Sequence, residues 1–127
     1  DGETSAITRA IEAAALGLTF EIPFSTKSCF QYAGDVADIF VKAASASWNG
    51  ALLSDISETT HSTDEVLAAI HAEVPYAAVT CAKTPRISPS DGFETSVLRQ
   101  LIGHIEENSL REGVHKTVAL YRKIAAR

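Results

Sequence analysis

The sequence predicts a small α+β domain, mixed α/β in order, with about five helices and four short strands. Three observations predict it. Five segments set apolar residues at the three- and four-residue spacing of an amphipathic helix. The stretches between them are short and strand-like, or polar and rich in turn residues. The chain has 127 residues, 46% apolar and 21% charged, which suits one hydrophobic core and one domain over residues 1–127.

The elements follow in order. Ile7, Ala10, Ile11, Ala14 and Leu18 mark a first helix, with Thr4 or Ser5 as its cap and Gly17 as its stop. Phe20-Glu21-Ile22 alternates like a strand, and Pro23 confines it to an edge or an end. After the polar run Ser25 to Ser28, Cys29-Phe30-Gln31-Tyr32 is strand-like again. Asp35 suits an N-cap, with Val36, Ile39, Phe40, Ala43 and Ala44 on the buried face behind it. Trp48-Asn49-Gly50 predicts a turn, and Ala51 to Ile56 a buried strand. Ser62-Thr63-Asp64-Glu65 is a capping box, followed by the inner stripe Val66, Leu67, Ile70 and Val74, which Pro75 ends. Ala77 to Ala82 predicts a further strand, Lys83 to Gly92 a loop, and Phe93 to Ile102 a short helix with Gly103 beyond it. A second capping box, Ser109-Leu110-Arg111-Glu112, opens the last helix, whose buried face is Leu110, Val114, Val118, Tyr121 and Ala125. Glu112 near its start and Arg122, Lys123 and Arg127 near its end suit the helix dipole.

Composition excludes several functions. The net charge of −5 argues against nucleic acid, whose phosphates need a cationic surface. No apolar run is of membrane-spanning length. Cys29 and Cys81 stand apart among apolar or small residues, which favours two buried free thiols and a reducing, cytoplasmic setting. His61, His71, His104 and His115 show no metal-ligand spacing, so no metal is expected, and the last three suit surface positions. Ser57, His61 and Asp64 lack a Gly-x-Ser-x-Gly elbow and are better explained as a polar loop before a helix. The chain has no Gly-x-Gly-x-x-Gly and no Gly-x-x-x-x-Gly-Lys, hence no backbone cradle for a pyrophosphate. It has no Tyr-x-x-x-Lys, which would lower a phenol's pKa for proton transfer. No catalytic, cofactor-binding or metal-binding residue is therefore expected within it. The chain opens on Asp1 and contains no Met, which points to a piece of a longer protein.

The order of features resembles the C-terminal, substrate-binding part of the NAD-dependent epimerase/dehydratase family, the extended short-chain dehydrogenases/reductases. Asp1-Gly2-Glu3-Thr4-Ser5 with the helix to Gly17 resembles the segment after that family's catalytic strand and its Tyr-Gly-Pro turn, and Phe20-Glu21-Ile22-Pro23-Phe24 the segment before its substrate loop. Phe30-Gln31-Tyr32-Ala33-Gly34-Asp35-Val36-Ala37 resembles its aromatic strand running into Asp-Val-Ala. Ser62-Thr63-Asp64-Glu65-Val66 with Ala69-Ile70, and Ser109-Leu110-Arg111-Glu112-Gly113-Val114 with Thr117 and Tyr121-Arg122, resemble its next and closing helices.

The resemblance implies a substrate-side half whose N-terminal Rossmann half is absent from this sequence. NAD or NADP would be bound by that other half, and none by this chain alone. The activity implied is that of a dehydrogenase, epimerase or dehydratase acting on a sugar or small hydroxy compound, such as a hydroxy acid. A homodimer is compatible with it. The implied substrate-binding residues are Lys27, Gln31, Tyr32 and Arg86. Nucleotide-sugar members of the family carry an Arg where this chain has Ser28 beside Lys27; a lysine offers a point charge and no bidentate fork. That departure favours a smaller substrate, with Arg86 as a substitute guanidinium from the later loop. As a strand, Phe30 to Tyr32 would turn Gln31 to one face and both aromatics to the other. The contrasting expectation is a stand-alone, non-enzymatic domain for small-molecule binding or protein interaction, encoded by a gene of this length.

Overall fold

The computed structural model describes residues 6–88 and 92–127. Thr4 and Ser5, expected as caps, and residues 89–91 of the expected loop lie outside the described residues. Within them are five helices and four short strands, the α+β composition expected.

Helix α1 (Ala6–Leu16) buries Ala6, Ala10, Ile11, Ala13 and Ala14 and ends at Gly17, whose φ of +70° is one that a side chain would strain. Strand β1 (Phe20–Ile22) pairs in parallel with β4 (Val79–Cys81), in the register Phe20 to Val79 and Ile22 to Cys81. Strand β2 (Lys27–Ser28) pairs antiparallel with β3 (His61–Ser62). Helices α2 (Ala33–Ser45), α3 (Thr63–Glu73), α4 (Ser96–Ile102) and α5 (Leu110–Ala125) complete the fold. The main core lies between α1, β1, α3, β4 and α5, where Ile22, Val66, Ile70 and Val118 are fully buried. A second cluster joins α2 to α4 through Ile39, Leu98 and Ile105.

Several expectations are corrected. Cys29 to Tyr32 is not a strand. The ladder sits at Lys27–Ser28 because its partner, His61–Ser62, gives way at once to α3, and Ser62 is already that helix's N-cap. Asp35 is not a cap: α2 begins at Ala33 behind Tyr32, and Asp35 is buried in the first turn. Ala51 to Ile56 is not a strand; Asp55 N–H donates to the Glu94 carbonyl at 3.0 Å, no strand among the described residues pairs with it, and Leu53 is 92% exposed. Phe40 and Ala44 of α2, Leu18 and Ala125 are exposed, because no described element covers those faces. Cys29 and Cys81 are free thiols but only half-buried, donating to the carbonyls of Ser57 and Phe24. His71 is half-buried, with Nε2 3.1 Å from the Val79 carbonyl.

Both capping boxes are complete. Ser62 Oγ accepts from the Glu65 N–H at 3.1 Å, and the Glu65 carboxylate accepts from the Ser62 N–H at 2.6 Å. Ser109 and Glu112 repeat this at 3.3 and 2.8 Å. The Ser62 backbone N–H, then its hydroxyl, holds the Glu65 carboxyl below its ordinary 4.5, and the Ser109 hydroxyl, then its N–H, does so for Glu112. A carboxylate lowered in the folded state stabilises fully above its ordinary value, and that contribution is lost as pH falls through the lowered value. Glu65→Gln with Glu112→Gln is therefore expected to flatten the acid limb of stability, seen as a smaller drop in urea midpoint between about pH 6 and about pH 3. Ser109→Ala should cost about 1 kcal/mol near neutrality, read from the same midpoints.

Candidate functional site

The segment Phe30 to Tyr32 runs from β2 into α2 and forms one wall of a cavity of about 110 Å³. Ile7 and Ile11 of α1 and Val114 of α5 give it apolar sides; Gln31, Tyr32, Asn108 and Ser109 supply polar groups. A smaller recess of about 20 Å³ also touches Gln31, Tyr32 and Asn108 and adds Ser57, Thr59, His61 and Glu107.

Sequence and packing together fix the Tyr32 ring. A Cβ on Gly34 would collide with it, and one on Gly113 would stand 3.3 Å from the Tyr32 Cβ. Glycine inside a helix costs about 1 kcal/mol relative to alanine, so Gly113 in the sixteen-residue α5 marks this close approach. Lys116 Nζ lies 5.4 Å from the ring centroid, a cation–π contact. The same ammonium donates to Asn108 Oδ1 at 2.5 Å. Asn108 in turn donates through its backbone N–H, at 2.8 Å, and its side-chain amide to the Asp35 carboxylate. Asp35, Asn108, Lys116 and Tyr32 thus tie the start of α2 to α5.

Gln31 Nε2 donates to Glu107 Oε1 at 3.5 Å, and Thr59 Oγ1 donates to Glu107 Oε2 at 3.3 Å. The surroundings are acidic. Burial first, then Asp55 and Glu107, raise the Cys29 thiol above its ordinary 9.0. A neighbouring recess of about 350 Å³ presents Asp35, Asp38, Glu106, Glu107 and Glu112 against Lys42 and Lys116. Such a lining offers acceptors to hydroxyl and amino groups and repels a phosphate.

Of the four residues singled out from sequence, Gln31 and Tyr32 come together at both pockets. Because the segment is not a strand, the predicted alternation does not separate them. Lys27 and Arg86 line neither pocket. Lys27 is exposed on β2, and the Arg86 guanidinium lies 4.8 Å over the Phe24 ring. The strips that carry them are adjacent: Ser25 bridges Pro85, and Ser88 Oγ donates to Ser28 Oγ at 3.3 Å. Thr59, Glu107 and Asn108 belong to no motif of the sequence; the polar run Glu106-Glu107-Asn108 directly before a capping box is the one local signal of the last two. Ser57 Oγ accepts from the Thr59 N–H, and Asp64 pairs with Lys83 at 3.0 Å. Among the described residues no three metal-ligating side chains converge. No helix there is long and apolar enough to cross a membrane.

No protein-family model matches the chain, and no curated protein matches it in sequence. Among solved structures it is similar to TunA, an NAD-dependent NDP-hexosamine 5,6-dehydratase involved in tunicamycin biosynthesis, at 22% identity and a TM-score of 0.69. The match takes in 97% of this chain and 42% of that one, so the chain spans less than half the dehydratase's length. At that identity the likeness establishes architecture: five helices and short strands arranged as in one part of a larger dehydratase.

Proposed function

We propose that this chain is the substrate-side part of an NAD(P)-dependent enzyme of the epimerase/dehydratase type, acting on a sugar or small hydroxy compound. The observation that carries the reading is the likeness of nearly the whole chain to part of an NAD-dependent hexosamine dehydratase. Gln31 and Tyr32 contact the substrate in the cavity beside α1 and α5. Lys27 and Arg86, on their adjacent strips, face an acidic substituent. The acceptor-rich lining suits the hydroxyl or amino groups of a sugar better than a diphosphate.

A dinucleotide does not fit the chain's own residues. Its sequence has no Gly-rich turn whose backbone could cradle a pyrophosphate. In this reading the nicotinamide cofactor supplies hydride transfer from a separate part of the enzyme. Two measurements test it. Titration calorimetry of the 127 residues with NAD and NADP should show no binding, and micromolar affinity for either would overturn the reading. The coding sequence before Asp1 should specify a Gly-rich strand–turn–helix and a Tyr-x-x-x-Lys; their absence would overturn it equally.

A further inference from the structure

Three recesses meet at one side chain. Asn108 lines the cavity of about 110 Å³ beside Tyr32, the recess of about 20 Å³ next to it, and the acidic recess of about 350 Å³. Tyr32 lines the first two, Lys116 lines the third, and the Lys116 ammonium lies over the Tyr32 ring. Asn108 and the Tyr32–Lys116 contact therefore stand between the small cavity and the larger recess.

The Asn108 side chain is held at both ends. Its Nδ2 donates to Asp35 Oδ1, and its Oδ1 accepts from Lys116 Nζ at 2.5 Å. Its backbone N–H donates to Asp35 Oδ2 at 2.8 Å. Asp35 is only 9% exposed, so its carboxylate has little water to turn to and keeps the amide in place. A polar network whose members are all satisfied is rigid. A tie between α2 and α5 alone would need only the opposite charges of Asp35 and Lys116. The amide is interposed between them, and it puts an uncharged wall where the recesses join. The other walls of the small cavity do not give way either. Ile11 and Val114 belong to the main core, and the Tyr32 ring lies where a Cβ on Gly34 would have to be.

We infer that Asn108 is a specificity-determining residue of the site: its amide closes the Tyr32 cavity against the larger recess and excludes a sugar that carries a second ring at the end entering there. The inference rests on the proposed function. A fixed wall rejects a larger competitor by clash, with no tighter contact to the smaller substrate required. Asn108 acts by where it stands and takes no part at the reacting atoms.

The test uses glucosamine and its β-1,4-linked dimer as probes, titrated into the full-length protein and followed by saturation-transfer NMR. The wild type should take the single sugar and bind the dimer about tenfold or more less tightly. Asn108→Ala should remove that discrimination through tighter binding of the dimer, with the single sugar little changed. Asn108→Ser keeps a hydroxyl donor for the buried Asp35 carboxylate, and it should shift the dimer in the same direction if the alanine variant does not fold. Lys116→Met frees one end of the amide without removing it and should give a smaller gain. Folded variants that lose both sugars alike show a role in folding only; that result overturns the inference and leaves the proposed function standing, as does unchanged discrimination. A wild type that binds the dimer as tightly as the single sugar overturns the inference in the same way. A wild type that binds neither overturns the sugar reading of the site, and this inference with it.

Discussion

Val118→Asp is expected to leave the 127 residues without a cooperative fold. Val118 is fully buried and belongs to the cluster that α5 shares with α1 and α3. A carboxylate there has no described cationic partner and costs several kcal/mol, on top of the roughly 1.5–3 kcal/mol lost with a buried apolar side chain. A domain of this size is stable by about 5–15 kcal/mol, so the substitution consumes much or all of the margin. Removing every residue after Ser109 should have the same result, because it takes away Leu110, Val114 and Val118 together. Val118→Ala is the graded control, costing about 2 kcal/mol. Thermal melts followed by far-ultraviolet circular dichroism decide; an unchanged transition in the truncated chain would make α5 peripheral.

The second large effect concerns turnover. Under the proposed function, Gln31→Ala in the full-length protein is expected to lower kcat/KM about 100-fold, the usual loss when a reacting group is held out of place. Gln31 lines both pockets at Tyr32 and is itself oriented by Glu107, so Glu107→Gln should give a smaller loss, through positioning. Lys27→Ala and Arg86→Ala should act mainly on KM, since both side chains stand outside those pockets. Steady-state kinetics on the true substrate separate these outcomes. Wild-type efficiency in Gln31→Ala, Lys27→Ala and Arg86→Ala alike would overturn the site.

The parts of this fold that were legible in the sequence are those set by local chemistry. Both capping boxes, the stop at Gly17 and the inner residues Val66 and Ile70 follow from spacing and from hydrogen bonds that close within one turn. The illegible parts are decided by distant partners. Ala51 to Ile56 has the composition of a strand, but a strand needs a pairing strand, and no described strand pairs with it. Asp35 has the chemistry of a cap, yet its carboxylate is taken by Asn108, 73 residues away. Phe40 obeys the helical period and still faces outward, because period alone cannot tell which of two apolar stripes is covered. At the site, Tyr32 was visible as an aromatic before a helix. Glu107 and Thr59 were not, because only the fold brings residues 48 apart within hydrogen-bonding reach.

The packing of α1 on α5 also sets a timetable for synthesis. The apolar face of α1, with Ala10, Ile11 and Ala14, is finished within the first residues of the described chain, but the helix that covers it ends at Ala125. At about 5–20 residues per second, roughly 5–20 seconds pass on the ribosome between the two. The parallel pairing of Phe20 with Val79 likewise waits for a long loop to close. During that interval the nascent chain displays an uncovered helix face and an unpaired β1, the surfaces that chaperones bind and that seed aggregation.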